Sequence, residues 1–132
     1  MKYTKIWETP KPMEYGFKSF SVKLDDVDYV ISLKYYKLTD RSEYDIDLVF
    51  KDACGFKQSN YFYEDKMHEF LECLAEREKS DYLNEVKNAA KINDKLYNVN
   101  YHRDLKNYIL HLEDYGFLEI IAEDWALVEN KK

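Results

Sequence analysis

Histidine and cysteine are the side chains best able to bind a metal ion or attack a substrate, and the chain has 3 His and 2 Cys. His68, His102 and His111 form neither an H-x-x-x-H nor an H-E-x-x-H pattern, and Cys54 and Cys73 form no C-x-x-C pair. A zinc site requires three or four such ligands to meet in space. We therefore expect no metal and no cofactor.

Either cysteine would act as a nucleophile only if a neighbouring base lowered the pKa of its thiol. Cys54 precedes Gly55 in a predicted loop, and Cys73 lies between Leu71 and Leu74, where packing is the ordinary role. No sequence pattern places a histidine beside either thiol. Both cysteines are therefore predicted to be free and structural.

One short match to a catalytic motif is attributed to chance. Residues 102–104 (His-Arg-Asp) spell the start of a protein-kinase catalytic loop, and 114–116 (Asp-Tyr-Gly) are similar to the metal-binding motif of those enzymes. That loop needs an Asn five residues after its Asp, where this chain has Ile109. A chain of 132 residues with 3 Gly also offers no glycine-rich loop. We expect no enzymatic activity.

The first structural signal along the chain is a period-two alternation of apolar residues over 17–51, and these strands would position any site built on them. Such alternation is typical of strands with one buried face and predicts a three-stranded antiparallel meander. Turns at 25–26 and 40–43 would join the strands. Each turn implies a characteristic cross-strand pair: Leu24 with Val27, and Tyr35 with Leu48.

One or two helices are predicted after the meander, over about 63–79 and 81–92. Apolar residues recur at helical spacing in the first, and Ser80 or Asp81 would cap the second. Acidic residues would form the solvated side of the first helix: Glu69, Glu72 and Glu76.

The C-terminal part, about 108–129, is predicted to form a β-hairpin that turns at Gly116. Residues 104–115 also fit a helix, which followed by two strands would suit a winged-helix DNA-binding domain. Residues 81–132 contain 10 acidic and 7 basic side chains, and no helix there clusters Arg, Asn and Gln for contact with base edges. We therefore favour the hairpin and expect no binding of nucleic acid.

Length and composition bound the whole chain. At 132 residues it is predicted to be one α+β domain over 1–132. The net charge of −6 argues against the basic stripe that phosphate binding needs. No apolar run is long enough for a signal peptide or a membrane span, so we expect a cytoplasmic protein without a membrane partner.

The outer face of the meander, away from its main apolar side, is the candidate partner-binding surface. It combines apolar side chains with an aromatic and an acidic rim, as protein-binding sites do. The predicted contact residues are Val30, Tyr36, Leu38, Asp45, Asp47 and Val49. A second candidate is the C-terminal hairpin, through Tyr115, Glu119 and Trp125.

Tyrosine content points to the same class of function. The chain has 13 Tyr, 7 Phe and 2 Trp without a catalytic pattern, and tyrosine is enriched where proteins contact each other. The expected function is therefore binding to a protein partner, with a basic partner favoured by the acidic charge. Small acidic chains of this kind suit inhibitors such as toxin-immunity proteins, antitoxins and phage antagonists of bacterial defence. The alternative is a small-ligand or nucleotide-sensing domain with a tyrosine-lined pocket.

Overall fold

A computed structural model describes residues 3–59, 73–78, 80–96, 104–112 and 116–131. Most of these residues lie in nine β-strands and one α-helix, α1 (Asp81–Leu96). The strands are β1 (Tyr3–Glu8), β2 (Tyr15–Asp25), β3 (Asp28–Lys37), β4 (Glu43–Lys51), β5 (Gly55–Ser59), β6 (Cys73–Arg77), β7 (Lys106–Leu112), β8 (Gly116–Ala122) and β9 (Asp124–Lys131). Within the described residues, no helix is long and apolar enough to cross a membrane.

The chain divides into two compact units, each built on one antiparallel sheet. The first unit contains residues 1–8 and 54–123, and its five strands are ordered β1-β6-β7-β8-β5. The second contains residues 9–53 and 124–132, and its four strands are ordered β2-β3-β4-β9. Neither unit is therefore one continuous segment of sequence.

The five-stranded sheet is buried on both faces at its centre. Residues 107–112 of β7 and 117–122 of β8 are buried one after another, so these strands show no alternation of polar and apolar positions. Helix α1 starts at Ser80, whose hydroxyl accepts a hydrogen bond from the Leu83 amide at 2.9 Å. Leu83 then packs with Leu105 and Ile121.

The four-stranded sheet alternates as its sequence predicts. One face, here called the closed face, carries side chains that are at most 4% exposed: Ile31, Leu33, Tyr35, Ile46, Leu48 and Phe50. The other, here called the open face, carries mostly polar and charged residues. A β-bulge between Phe17 and Ser19 interrupts the pairing of β2 with β3.

The predicted α+β fold, a three-stranded meander with one or two helices and a C-terminal hairpin, is wrong. Strands are present over 17–51, but they belong to a four-stranded sheet that β9 completes. Of the predicted helix over 63–79, Cys73–Arg77 is strand β6, and 63–72 and 79 lie outside the described residues. Three consecutive buried residues at 73–75 fit a central strand as well as a helix, and pairing with β1 and β7 decides it.

The predicted C-terminal hairpin over 108–129 is also corrected. Strands β7 and β8 pair with each other, but β9 leaves them and pairs with β4 in the second sheet. The helical alternative for 104–115 fails over Lys106–Leu112, which is strand. The predicted helix over 81–92 is present and continues to Leu96.

The predicted strand register is displaced by an even number of residues. Leu24 pairs with Tyr29 rather than Val27, because the tight turn is centred on Asp26 and Val27. Tyr35 pairs with Tyr44 rather than Leu48. An even shift leaves every side chain on its predicted face, since side chains alternate with a period of two.

Candidate functional site

The register of β3, β4 and β9 brings the predicted contact residues onto the open face. Val30 lies opposite Val49, which lies opposite Ala126. In the next row Ser32, Asp47 and Val128 are aligned. Lys34 lies opposite Asp45, and Tyr36 opposite Glu43. Five of the six predicted residues are at least partly exposed there.

Val30 is the exception, because it is only 6% exposed. It cannot contribute much area to a partner and acts as packing beneath its neighbours. Leu38 is 42% exposed and follows the end of β3, where its amide donates a hydrogen bond to the Glu14 carbonyl at 2.9 Å. Leu38 is therefore fixed at the edge of the open face rather than at its centre.

Tyr36 is held in place from two sides. Its ring lies over Gly16, where a Cβ atom would overlap the ring, so a larger residue at this position in β2 would displace the ring. The guanidinium carbon of Arg41 lies 5.3 Å from the ring centroid, within the range of a cation–π contact. Arg41 itself has a φ of 63°, in the left-handed region. The half-buried Tyr36 is thus a rigid aromatic group with one edge open to solvent.

Charges on the open face alternate in sign near β2 and become acidic toward β9. The Lys18 ammonium lies 3.7 Å from the Glu43 carboxylate, and Lys34 faces Asp45 across the strands. The residues directly opposite Asp47, which are Ser32 and Val128, carry no charge. Asp47 therefore marks the more acidic part of the face.

Sequence reasoning missed the contribution of β9. Val128 is 46% exposed beside Asp47, and Ala126 extends the apolar row of Val30 and Val49. Nothing local links β9 to β4, because residues 52–123, which include strands β5 to β8, lie between them. The signal for β9 in the sequence is the run of four apolar residues over 125–128.

The second predicted surface does not come together. Glu119 belongs to β8 of the five-stranded sheet and is only 3% exposed, whereas Trp125 belongs to β9 of the other sheet, opposite Phe50. Tyr115 lies outside the described residues. Glu119 is therefore an internal group and not a contact for a partner.

Glu119 is part of a buried polar cluster. Its carboxylate lies 3.3 Å from Arg77 Nη1 and 3.8 Å from Lys57 Nζ, which is half exposed at the edge strand β5. The Lys57 ammonium also lies 4.7 Å from the centroid of the Tyr82 ring. These contacts neutralise a carboxylate that would be costly to bury alone.

Asn107 lies on the same face of that sheet, directly opposite Arg77. Its side chain is fully buried, and neither its amide nitrogen nor its amide oxygen has a hydrogen-bond partner among the described residues. Burying an unpaired amide costs about 1–3 kcal/mol. The cluster therefore contains one group that destabilises the folded state.

The residues weighed for catalysis or metal binding do not assemble into a site among the described residues, where no group of three potential ligands occurs. Neither Cys54 nor Cys73 is in a disulfide, and burial raises the pKa of Cys73 to about 11, which keeps this thiol protonated at neutral pH. His111 is buried with its ring centroid 4.5 Å from that of Phe117. His68, His102, Glu69 and Glu72 lie outside the described residues, and Glu76 lies in strand β6, not on a helix.

Aromatic rings of the four-stranded unit pack on one another. The ring centroids of Tyr15 and Tyr44 are 5.3 Å apart, as are those of Phe17 and Tyr35. Burial and a hydrogen bond with Glu129 raise the pKa of Tyr44 to about 12. These rings contact one another within the unit, and the predicted tyrosine-lined pocket stays a prediction.

Comparisons of the chain with protein-family models, with curated proteins and with solved structures found no match.

Proposed function

We propose that the chain binds another protein through the open face of its four-stranded sheet. The observation that carries this proposal is the register, which places Tyr36, Asp47 and Val49 on one partly exposed face and adds Val128 from β9. A face that combines apolar, aromatic and acidic groups has the composition of a protein-binding site.

A basic partner suits this surface best. The chain carries a net charge of −6, and Asp47 has no charged residue directly opposite it. Complementary charge speeds association and disfavours acidic competitors. We further propose that binding occludes the partner, so that the protein acts in the cytoplasm as an inhibitor of the toxin-immunity, antitoxin or phage anti-defence type.

Rigidity supports Tyr36 as the anchor of this surface. A side chain already fixed by Gly16 and Arg41 loses little conformational freedom on binding. Tyrosines in desolvated patches commonly cost ~2 kcal/mol or more when truncated. The rest of the face then supplies shape and charge around that anchor.

Isothermal titration calorimetry with a partner isolated by pull-down from the source cell tests the proposal. Tyr36→Ala should weaken binding at least about tenfold. Tyr36→Phe, which keeps the ring over Gly16, should retain most of the affinity and controls for the fold.

Reversing the charge of two open-face residues provides a second test of the proposal. Asp45→Lys with Asp47→Lys should slow association and flatten its salt dependence. Glu85→Lys and Asp81→Lys on exposed positions of α1 make the same change in net charge and should have little effect. Folded variants of the open face that all bind as wild type would show that the partner contacts another surface.

A further inference from the structure

The turn between β2 and β3 exposes apolar side chains next to acidic ones. Leu24 is 63% exposed and Val27 is 51% exposed. Between them, Asp25 and Asp26 are also exposed. Single exposed apolar residues are common on protein surfaces, but here Leu24 precedes a tight turn and Val27 lies within it.

This tip is tied to the following loop as well as to its own hairpin. Asp25 pairs with Asp28 at the end of the ladder. The Ala53 amide donates a hydrogen bond to the Val27 carbonyl at 2.9 Å, and the Asp52 amide donates one to the Asp28 carboxylate at 3.0 Å. A turn braced in this way presents its side chains with little further loss of conformational entropy on binding.

Two backbone positions near the tip have a positive φ angle. Asp26 has a φ of 58°, in the left-handed region, where tight hairpin turns prefer Asn, Asp or Gly. Asp52, in the bracing loop, has a φ of 50°. Aspartate tolerates this region better than most residues other than glycine and asparagine, so the turn conformation and the carboxylates are compatible at both positions.

The charge around the tip is strongly one-sided. Two lysines, Lys23 and Lys51, lie at this end of the sheet, and Lys51 faces Asp124 across the strands. The carboxylates at this end are more numerous: Asp25, Asp26, Asp28, Asp52 and Asp124. The acidic potential at the tip favours a partner with cationic side chains. The two apolar side chains favour a partner that also offers an apolar area.

We propose that the β2–β3 tip inserts Leu24 and Val27 into an apolar cleft on the protein partner, and that lysine or arginine side chains at the rim of this cleft contact Asp25 and Asp26. The inference rests on the proposed function, because it names a second contact with the same partner. In this proposal the tip recognises the basic rim of the cleft, and the open face provides most of the contact area.

Site-specific photo-crosslinking in the source cell tests the placement. Benzoylphenylalanine is introduced as Leu24→benzoylphenylalanine in the full-length protein, with Ile92→benzoylphenylalanine as a control at 61% exposure on α1. The expected result is a crosslink from position 24, and not from position 92, to a partner peptide bordered by Lys or Arg. A crosslink to an acidic or uniformly polar peptide, or equal crosslinking from both positions, would overturn the proposal.

Affinity measurements separate this inference from the proposed function. Leu24→Ser with Val27→Ser should weaken binding at least about tenfold, and Asp25→Lys with Asp26→Lys should remove most of the salt dependence of association. Unchanged thermal melting would confirm that these variants remain folded. If the tip variants bind as wild type while the open-face variants do not, the tip proposal fails and the proposed function stands. If both sets bind as wild type, both fail.

Discussion

The two sheets hold their charged side chains in opposite places. In the four-stranded sheet, the closed face is apolar and the charges lie on the open face, where solvent screens them. In the five-stranded sheet, both faces are buried at the centre, and Arg77 and Glu119 meet inside at 3.3 Å. The same residue types therefore lie on a solvent-exposed face in one unit and inside the sheet in the other.

Adjacent residues on β4 test the first half of this comparison and should give the largest effect. Leu48 is fully buried on the closed face, and Asp47 lies on the open face. Leu48→Asp would bury an unpaired carboxylate and should cost on the order of 4 kcal/mol or more, enough to abolish cooperative unfolding. Asp47→Ser should stay within about 0.5 kcal/mol of wild type in urea unfolding. Equal costs would mean that the faces are assigned the wrong way round.

The ion pair inside the five-stranded sheet tests the second half. Glu119→Gln removes the charge that Arg77 faces and should lower the free energy of unfolding by about 3 kcal/mol. Glu43→Gln breaks the exposed contact with Lys18 and should cost about 0–1 kcal/mol.

A double variant tests why Glu119→Gln should lower the free energy of unfolding. Arg77→Met with Glu119→Leu removes both charges, so it should be more stable than Glu119→Gln alone. A double variant that is less stable than the single one would show that Arg77 stabilises the fold through other contacts.

How much of this architecture was predictable depends on where each strand lies. The faces of β3 and β4 followed from alternation, because one side is apolar and short turns fix the neighbours. Strand β6 did not, since its consecutive buried residues at 73–75 lack alternation and its partners lie far away in sequence. Local patterns cannot distinguish a fully buried strand from a buried helix.

The candidate site was predictable to a similar degree. Tyr36, Asp45, Asp47 and Val49 share a face because they share a short segment of alternating strands. The exposure of Val128 beside Asp47 depends on a pairing between distant segments, which no local pattern encodes. The burial of Val30 likewise depends on neighbouring side chains rather than on its own position in the strand.

Substitution of Asn107 should have the smallest effect on the free energy of unfolding. It tests the polar groups inside the five-stranded sheet. Asn107→Leu keeps the branched shape and removes the unpaired amide, so it should raise the free energy of unfolding by about 1 kcal/mol. Asn107→Ala also removes the amide but leaves a cavity, so it should gain less or lose stability. A loss above about 1 kcal/mol for Asn107→Leu would show that the amide is hydrogen-bonded in solution.

The interleaving of the two units also sets how the chain folds. Tyr3 pairs with Arg77, and Lys51 pairs with Asp124, so both sheets are closed by contacts between distant segments. The hairpins of β2, β3 and β4 close through short loops and can form early, whereas β1 and β9 must wait for long loops to close. We expect folding on the millisecond-to-second timescale, with a transition state centred on the β2–β4 hairpins. If the proposed partner met the open face before β9 docks, it would find an unpaired β4 edge, so we expect binding only by the fully folded protein.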